Sequence, residues 1–413
     1  MVATGLGVVT SLGAGKAENW EKLCAGRSGI HKITRFCTQH LRTTIAGTVD
    51  FLSVDPFTTP SLGERLGLVA AAEAIEQADI GRKGDFPGPL FVAVAPTEIE
   101  WPQRLALAHA SGAADVTYDD LLRVAGRPSF HALYSRFKYD SVADALANKF
   151  GTKGSPISLT TACASGASAI QLAVEAIRRG ESDAALVIGT ESSVNQESLI
   201  RFSLLSALST ANDPPEAAAK PFSKNRDGFV MAEGAAALVL ESYEAAKARG
   251  AAFVGLIEGC GEMADSFHRT RSSPDAGPII GCIRKAIEDA GLTPDDVDYI
   301  NAHGTGTGEN DKMEYMGVAS VFGERARSVP ISSNKSMIGH TMSAAGAIEA
   351  VFTLLTLEHQ RLPPTINYRI PDPALALDVV PNLARDARVR HALSNSFGFG
   401  GQNVCLVVGR EPA

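Results

Sequence analysis

At 413 residues, with 45% hydrophobic and 20% charged side chains, the chain is too long for a small stapled scaffold and too apolar for a disordered one, which predicts two domains or one large duplicated fold. A formal net charge of -8 excludes the concentrated basic footprint of a nucleic-acid binder. Aromatics at 6%, beside abundant alanine and glycine, predict helices packed closely through small side chains.

The chain opens with Met1-Val-Ala-Thr-Gly-Leu-Gly-Val-Val-Thr, without a basic region ahead of its apolar stretch, and no apolar run reaches the roughly 18 residues that span a bilayer. A soluble cytoplasmic protein without membrane insertion is expected. Apolar spacing predicts a helix over Leu66 to Ala78, then a doubly buried strand at Leu90-Phe-Val-Ala-Val; residues 97 to 140 are less regular. A helix over Ala164 to Arg179, closed by Gly180, leads to a strand at Ala184-Ala-Leu-Val-Ile. Ala211-Asn-Asp-Pro-Pro-Glu reads as a surface loop, and Ala235-Ala-Ala-Leu-Val-Leu as a strand. Beyond it come a helix over Ile279 to Ala290 with Gly291 after it, a strand-like Val297-Asp-Tyr-Ile, a helix over Ser343 to His359 and a strand at Val404-Cys-Leu-Val-Val.

This alternation predicts an α/β fold with layered sheets. Ser165-Gly-Ala-Ser-Ala-Ile-Gln matches Ser343-Ala-Ala-Gly-Ala-Ile-Glu, so a duplication is plausible; the competing reading is that two alanine-rich helix starts match by chance. The six cysteines, at 24, 37, 163, 260, 282 and 405, form no CxxC pair, and most are expected to be small buried apolar residues.

Four segments carry residues suited to chemistry. In Ser158-Leu-Thr-Thr-Ala-Cys-Ala-Ser-Gly-Ala a strand-like run turns through Cys163 into a helix, where unpaired amides and the macrodipole favour a thiolate. Asn301-Ala-His-Gly-Thr-Gly-Thr-Gly places His303 among glycines at a strand's end; without GxxxxGK[ST] or a βαβ GxGxxG, a nucleotide is not the expected ligand. Ser333-Asn-Lys-Ser-Met-Ile-Gly-His puts Lys335 and His340 ahead of the long helix, with Glu349 as a partner for Lys335. Asn395-Ser-Phe-Gly-Phe-Gly-Gly-Gln-Asn reads as a mobile glycine-rich loop that swings Phe399. The bland alternatives are a packed core residue for Cys163, a histidine hydrogen-bonded within a glycine-rich turn for His303, a solvated surface charge for Lys335, a helix-capping residue for His340, and an ordinary glycine-rich turn whose phenylalanines fill core for the last segment.

Taken together, Thr161-Ala-Cys-Ala-Ser-Gly, His303-Gly-Thr-Gly-Thr, Asn334-Lys-Ser-Met-Ile-Gly-His and Asn395-Ser-Phe-Gly-Phe-Gly-Gly resemble the β-ketoacyl synthase family of the thiolase superfamily, in its order and at its separations. Thr4-Gly-Leu-Gly-Val-Val-Thr and Lys220-Pro-Phe-Ser-Lys-Asn-Arg-Asp-Gly-Phe-Val-Met-Ala-Glu-Gly-Ala extend the resemblance to nearly the whole chain, and the elongating type II acyl-carrier-protein synthases are the nearest in pattern.

The resemblance implies a five-layered αβαβα fold from two duplicated halves, residues 1–246 and 247–413, and a homodimer. It implies decarboxylative condensation of an acyl-cysteine with malonyl-acyl-carrier protein, without a cofactor. Cys163 would carry the acyl group, His303 and His340 would donate to the thioester oxygen, and the amides of Cys163 and Phe399 would hold the acyl oxyanion. Lys335 with Glu349 would orient the histidines, Phe399 would gate access, and Asp311 and Glu314 would border the pocket. A structural monovalent cation is implied near Asn301, Ala302, Glu349, Ser394 and Asn395.

Two departures limit the carry-over. Pro96-Thr-Glu-Ile-Glu-Trp-Pro stands where relatives are glycine-rich beside the acyl pocket, and Ser206 stands where a carrier-docking basic residue is common. Arg65, Arg201, Lys220, Lys224 and Arg269 are candidate replacements. The alternatives are a polyketide or very-long-chain lipid synthase, a noncatalytic chain-length subunit, and a thiolase; Cys405, in an apolar run, suits a core strand better than a thiolase base.

Overall fold

The computed structural model describes residues 1–410. Eleven strands run in one path: β1 (Val2–Thr10), β2 (Leu90–Val94), β3 (Ile157–Leu159), β4 (Ala184–Glu191), β5 (Gly234–Glu241), β6 (Gly255–Ala264), β7 (Tyr299–Asn301), β8 (Pro330–Ser332), β9 (Asp378–Val379), β10 (His391–Phe397) and β11 (Gln402–Gly409). Their order is β9-β8-β7-β10-β11-β6-β1-β5-β4-β2-β3, with Gly13–Ala14 pairing β1 off the path.

The duplication is written in the pairing. From β1 the sheet runs antiparallel to β5, antiparallel to β4, then parallel to β2 and β3. From β6 it runs antiparallel to β11, antiparallel to β10, then parallel to β7 and β8. The two halves join where β1 pairs β6, Val2 opposite Leu256.

Side chains alternating along these strands feed three cores. Ala185 and Val187 of β4, with Val404, Leu406 and Val408 of β11, enclose helices α4 (Ser165–Arg178) and α8 (Ala345–His359). The opposite face of β4, Leu186 and Ile188, packs on α1 (Thr59–Ala78) and α3 (Ser141–Phe150), while Cys405 and Val407 of β11 pack on α6 (Gly277–Asp289) and α7 (Gly308–Phe322). The layers therefore read helix, sheet, helix, sheet, helix. Residues 345–357 of α8 are all buried, as a helix enclosed on every side requires.

The central helices meet through small residues. A β-carbon on Gly166 would lie 2.4 Å from the Ala347 nitrogen, and one on Gly346 would lie 2.5 Å from the Ala167 nitrogen. That reciprocity pairs Gly166 with Gly346 and Ser165 with Ala345 as helix starts, two residues beyond the match of Ser165 with Ser343; residues 342–344 form a 3-10 turn first. Residues 97–140 hold three short α-helices, the first of them α2 (Trp101–Ser111); later in the chain α5 (Gln196–Leu204) supplies Glu197, Ser198, Arg201 and Phe202 to the walls of a cavity at the site.

The cysteine expectation is corrected: Cys282 and Cys405 are buried, but Cys24, Cys163 and Cys260 are half-buried and Cys37 is exposed. No helix among the described residues is long and apolar enough to cross a membrane.

Candidate active site

Cys163 stands where the chain turns from β3 into α4. Ala162 adopts φ +50, an angle uncommon outside glycine and frequent at functional turns. Ser165 fixes the turn, its Oγ accepting from the Thr161 N–H at 2.8 Å and donating to the Ala162 carbonyl at 2.6 Å.

His340 is held by its backbone: its N–H donates to the Val230 carbonyl at 2.7 Å, and its carbonyl accepts from Ala232 at 3.0 Å. His303 follows β7, and Glu314 of α7 clamps it by accepting from the N–H groups of His303 at 2.8 Å and Gly304 at 2.7 Å. These anchors, distant in sequence, bring His340 Nε2 to 3.1 Å from Cys163 Sγ. The sulfur and one ring nitrogen from each histidine lie within 4.8 Å of one another, and the two rings meet edge to face at 5.3 Å.

The expected thiolate preference is corrected by burial, which pushes the Cys163 thiol up to about 11 despite the Phe399 N–H and the Lys335 charge acting the other way. Burial, and then the Lys335 charge, holds both histidines well below the usual imidazole range. The site at neutral pH thus contains a thiol and two uncharged imidazoles.

Lys335 is buried beneath this group. Its Nζ donates to the His303 carbonyl at 2.7 Å, lies 3.4 Å from His303 Nδ1 and pairs with Glu349. Burial pushes the Glu349 carboxyl up to about 7 against the pull of Lys335. Asp311 accepts from the N–H groups of Phe222 at 2.7 Å and Gly306 at 3.1 Å. Asp311 and Glu314 therefore act on the histidine loop from below, and neither lines the cavity that holds His303.

The residues matched to a cation site include three buried oxygens without a hydrogen-bond partner among the described residues: Asn301 Oδ1, Glu349 Oε2 and Ser394 Oγ. Oxygen donors of this kind fit a hard cation. Asn395 is occupied by Glu314 and Cys405, and the Ala302 N–H by Ser332.

Two cavities, of about 500 and 540 Å³, meet at Cys163. The first contains both histidines; the second extends along Ala95, Pro96, Glu98 and Glu100. Phe399 lines both, as do Phe202, Leu205 and Met342, so these four separate the chambers. Around Phe399, Gly400 and Gly401 adopt φ of +90 and +91, which a side chain would strain.

Of the candidate basic residues, Arg269 borders the first cavity and Arg201 the second, where Arg201 pairs with Glu98; Lys220 pairs with Asp227. Neither cavity is lined by Arg65 or Lys224. Sequence reasoning missed Phe202, Leu205 and Met342, which carry no local signature, and His268 and Arg271, which flank Arg269 at the mouth.

Comparison with known proteins supplies an independent measure. The family model described as "Beta-ketoacyl synthase, N-terminal domain" matches residues 1–246, and its C-terminal companion matches 254–369. A protein named 3-oxoacyl-[acyl-carrier-protein] synthase 2 from Coxiella burnetii is 37% identical, covering 99% of this chain and 98% of its own length; one of that name from Staphylococcus aureus is 35% identical, covering 98% and 97%. Among solved structures, a type II polyketide ketosynthase in complex with its acyl-carrier protein superposes with a TM-score of 0.88 at 34% identity, covering 99% of each chain. A β-ketoacyl synthase from Burkholderia phymatum gives 0.84 at 33%, covering 100% of this chain and 99% of its own.

Proposed function

The chain belongs to the β-ketoacyl synthase family, and from that premise we propose that it condenses an acyl group held on Cys163 with malonyl-acyl-carrier protein, giving a 3-oxoacyl-acyl-carrier protein two carbons longer. The observation that carries this reading is the sulfur of Cys163 lying 3.1 Å from an uncharged His340, with His303 alongside, where two cavities meet.

The chemistry follows in three steps. His340 Nε2 accepts the thiol proton as the sulfur attacks an acyl-carrier thioester, and passes it to the departing carrier thiol. The second cavity receives the acyl chain. A malonyl thioester then enters the first cavity and loses carbon dioxide, so a carbanion equivalent forms without removal of a weakly acidic C–H. Negative charge grows on the thioester oxygen, where the His303 Nε2–H stabilises it by roughly 3 kcal/mol, joined by His340 when that ring is in the tautomer that carries its proton on Nε2. The enolate attacks the acyl-cysteine carbonyl, whose oxyanion is held by the amides of Cys163 and Phe399; the C–S bond breaks and the sulfur leaves as a thiolate, which takes up a proton from solvent by way of His340 Nε2 to restore the thiol.

Lys335, Glu349, Asp311 and Glu314 are positioning residues in this reading, and Phe399 is the gate. A monovalent cation held by Asn301, Glu349 and Ser394 oxygens, with Ala302 and Asn395 adjacent, would satisfy the unpaired acceptors there. The working form we assign is a cytoplasmic homodimer of chains divided at 1–246 and 247–413. Its support is the free edge of β3, where Ile157 is 42% exposed and suited to cover by a second copy. The presence of Cys163 and both histidines disfavours a noncatalytic chain-length subunit.

Incubation with malonyl-carrier and an acyl-carrier series, read by mass spectrometry, tests the proposal. Carbon dioxide release with 3-oxoacyl products is expected; products with further uncorrected extensions would move the enzyme to polyketide synthesis, and neither acylation nor release would overturn the reading.

A further inference from the structure

The second cavity is not uniformly apolar. Where it meets the first, its walls are Phe202, Leu205, Met342 and Phe399; Thr59, Glu100 and Asn195 are among the residues that line only the second, together with Glu98, Glu191 and Glu197, whose carboxylates are partnered by Arg201, by Ser192 and Ser343, and by Arg104. Glu100 is only 6% exposed. One carboxylate oxygen accepts from the Thr59 N–H at 2.6 Å. The other has no hydrogen-bond partner among the described residues, and the side chain does not cap the helix it precedes.

An alkyl chain laid against that oxygen would remove it from water and give nothing in return, an arrangement that folded proteins avoid. A hydroxyl at the same depth would donate to it. Asn195, whose Nδ2 lies 3.5 Å from Thr59 Oγ1, adds a further polar group beside Thr59. We propose that the second cavity selects acyl chains bearing a hydroxyl on their hydrocarbon part, with Glu100 as the acceptor that reads it. This inference rests on the proposed function, in which that cavity holds the acyl group.

The test is a set of acyl-N-acetylcysteamine thioesters of equal length, one unsubstituted and the others hydroxylated at successive carbons, with the rate of Cys163 acylation followed by intact-protein mass spectrometry. Sites that hydrogen-bond a substrate hydroxyl discriminate strongly against its absence, so at least one position should acylate roughly tenfold faster than the unsubstituted chain. Glu100→Gln, which keeps an acceptor for Thr59, should reduce that ratio, and Glu100→Met should reverse it in favour of the unsubstituted chain; circular dichroism checks that both variants fold. Equal or faster acylation by the unsubstituted chain in the wild type overturns the inference while leaving the proposed function intact, as does a hydroxyl preference that persists in both variants. If no thioester acylates Cys163, the proposed function fails and this inference with it.

Discussion

The Lys335 ammonium points its Nζ at His303 Nδ1 across 3.4 Å. An ammonium only donates, so Nδ1 is the acceptor and the imidazole proton resides on Nε2. A buried cation thereby sets the tautomer that a donor to a thioester oxygen needs.

Lys335→Met is expected to remove this control and leave Glu349 buried without its partner. Stability should fall by about 3–5 kcal/mol, the usual consequence of orphaning a buried charge, as measured by urea unfolding. Adding Glu349→Gln should recover much of the stability and little of the decarboxylation rate, which separates tautomer control from folding.

Cys163→Ala should form no acyl-enzyme and no condensation product. Carbon dioxide release from malonyl-carrier should continue, because both imidazoles remain. Radiolabelled malonyl substrate checks this; loss of release together with condensation would assign the sulfur a role in decarboxylation as well.

His303→Ala is expected to slow decarboxylation by about 10²- to 10³-fold, the usual effect of losing one oxyanion donor, with a much smaller effect on Cys163 acylation. His340→Ala should slow both, since His340 Nε2 is the ring nitrogen within hydrogen-bonding distance of the thiol. Single-turnover acylation and carbon dioxide release, measured separately, distinguish the two.

The depressed histidines also predict a pH dependence of stability. Below about pH 6.5 an unfolded histidine takes up a proton that buried, uncharged His340 refuses. The unfolded chain then binds more protons, so stability falls as the pH is lowered. Relative to His340→Asn, the wild type should lose up to about 1.4 kcal/mol per pH unit below 6.5 and show no difference in slope above about pH 7.5. Denaturant midpoints at pH 5.5, 6.5 and 7.5 give the comparison.

Gly166→Ala should destabilise by about 1–3 kcal/mol or more, because the added methyl meets the Ala347 backbone, which has no room to relax inside a central helix pair. Thermal unfolding measures it. Gly180→Ala, at φ +72 with no atom within 4 Å, tests backbone strain without overlap and should cost less.

Much of the architecture was legible because its signals are local. Leu90–Val94 is a strand at the residues its apolar run predicts, and Gly180 and Gly291 follow helix ends with positive φ as expected. The strands Val2–Thr10 and Gly255–Ala264 were not legible: their glycines interrupt the apolar pattern and are used to admit helices α1 and α6 closely. The helix expected over Ser343–His359 begins two residues later, at Ala345, after a 3-10 turn that opens with Met342 at φ +33, outside the helical range.

By itself the sequence determined the chemical groups: a cysteine at a strand-to-helix turn, two histidines beside glycines, a lysine with a carboxylate partner and a glycine-flanked phenylalanine. Tertiary structure decided their protonation and the shape of the space they face. Burial makes Cys163 a neutral thiol where a local helix terminus predicted a thiolate. The wall of Phe202, Leu205, Met342 and Phe399 and the lone oxygen of Glu100 arise where distant segments converge. Desolvation and cavity shape are sums over neighbours that chain order does not encode, so they appear only once the halves have closed around α4 and α8.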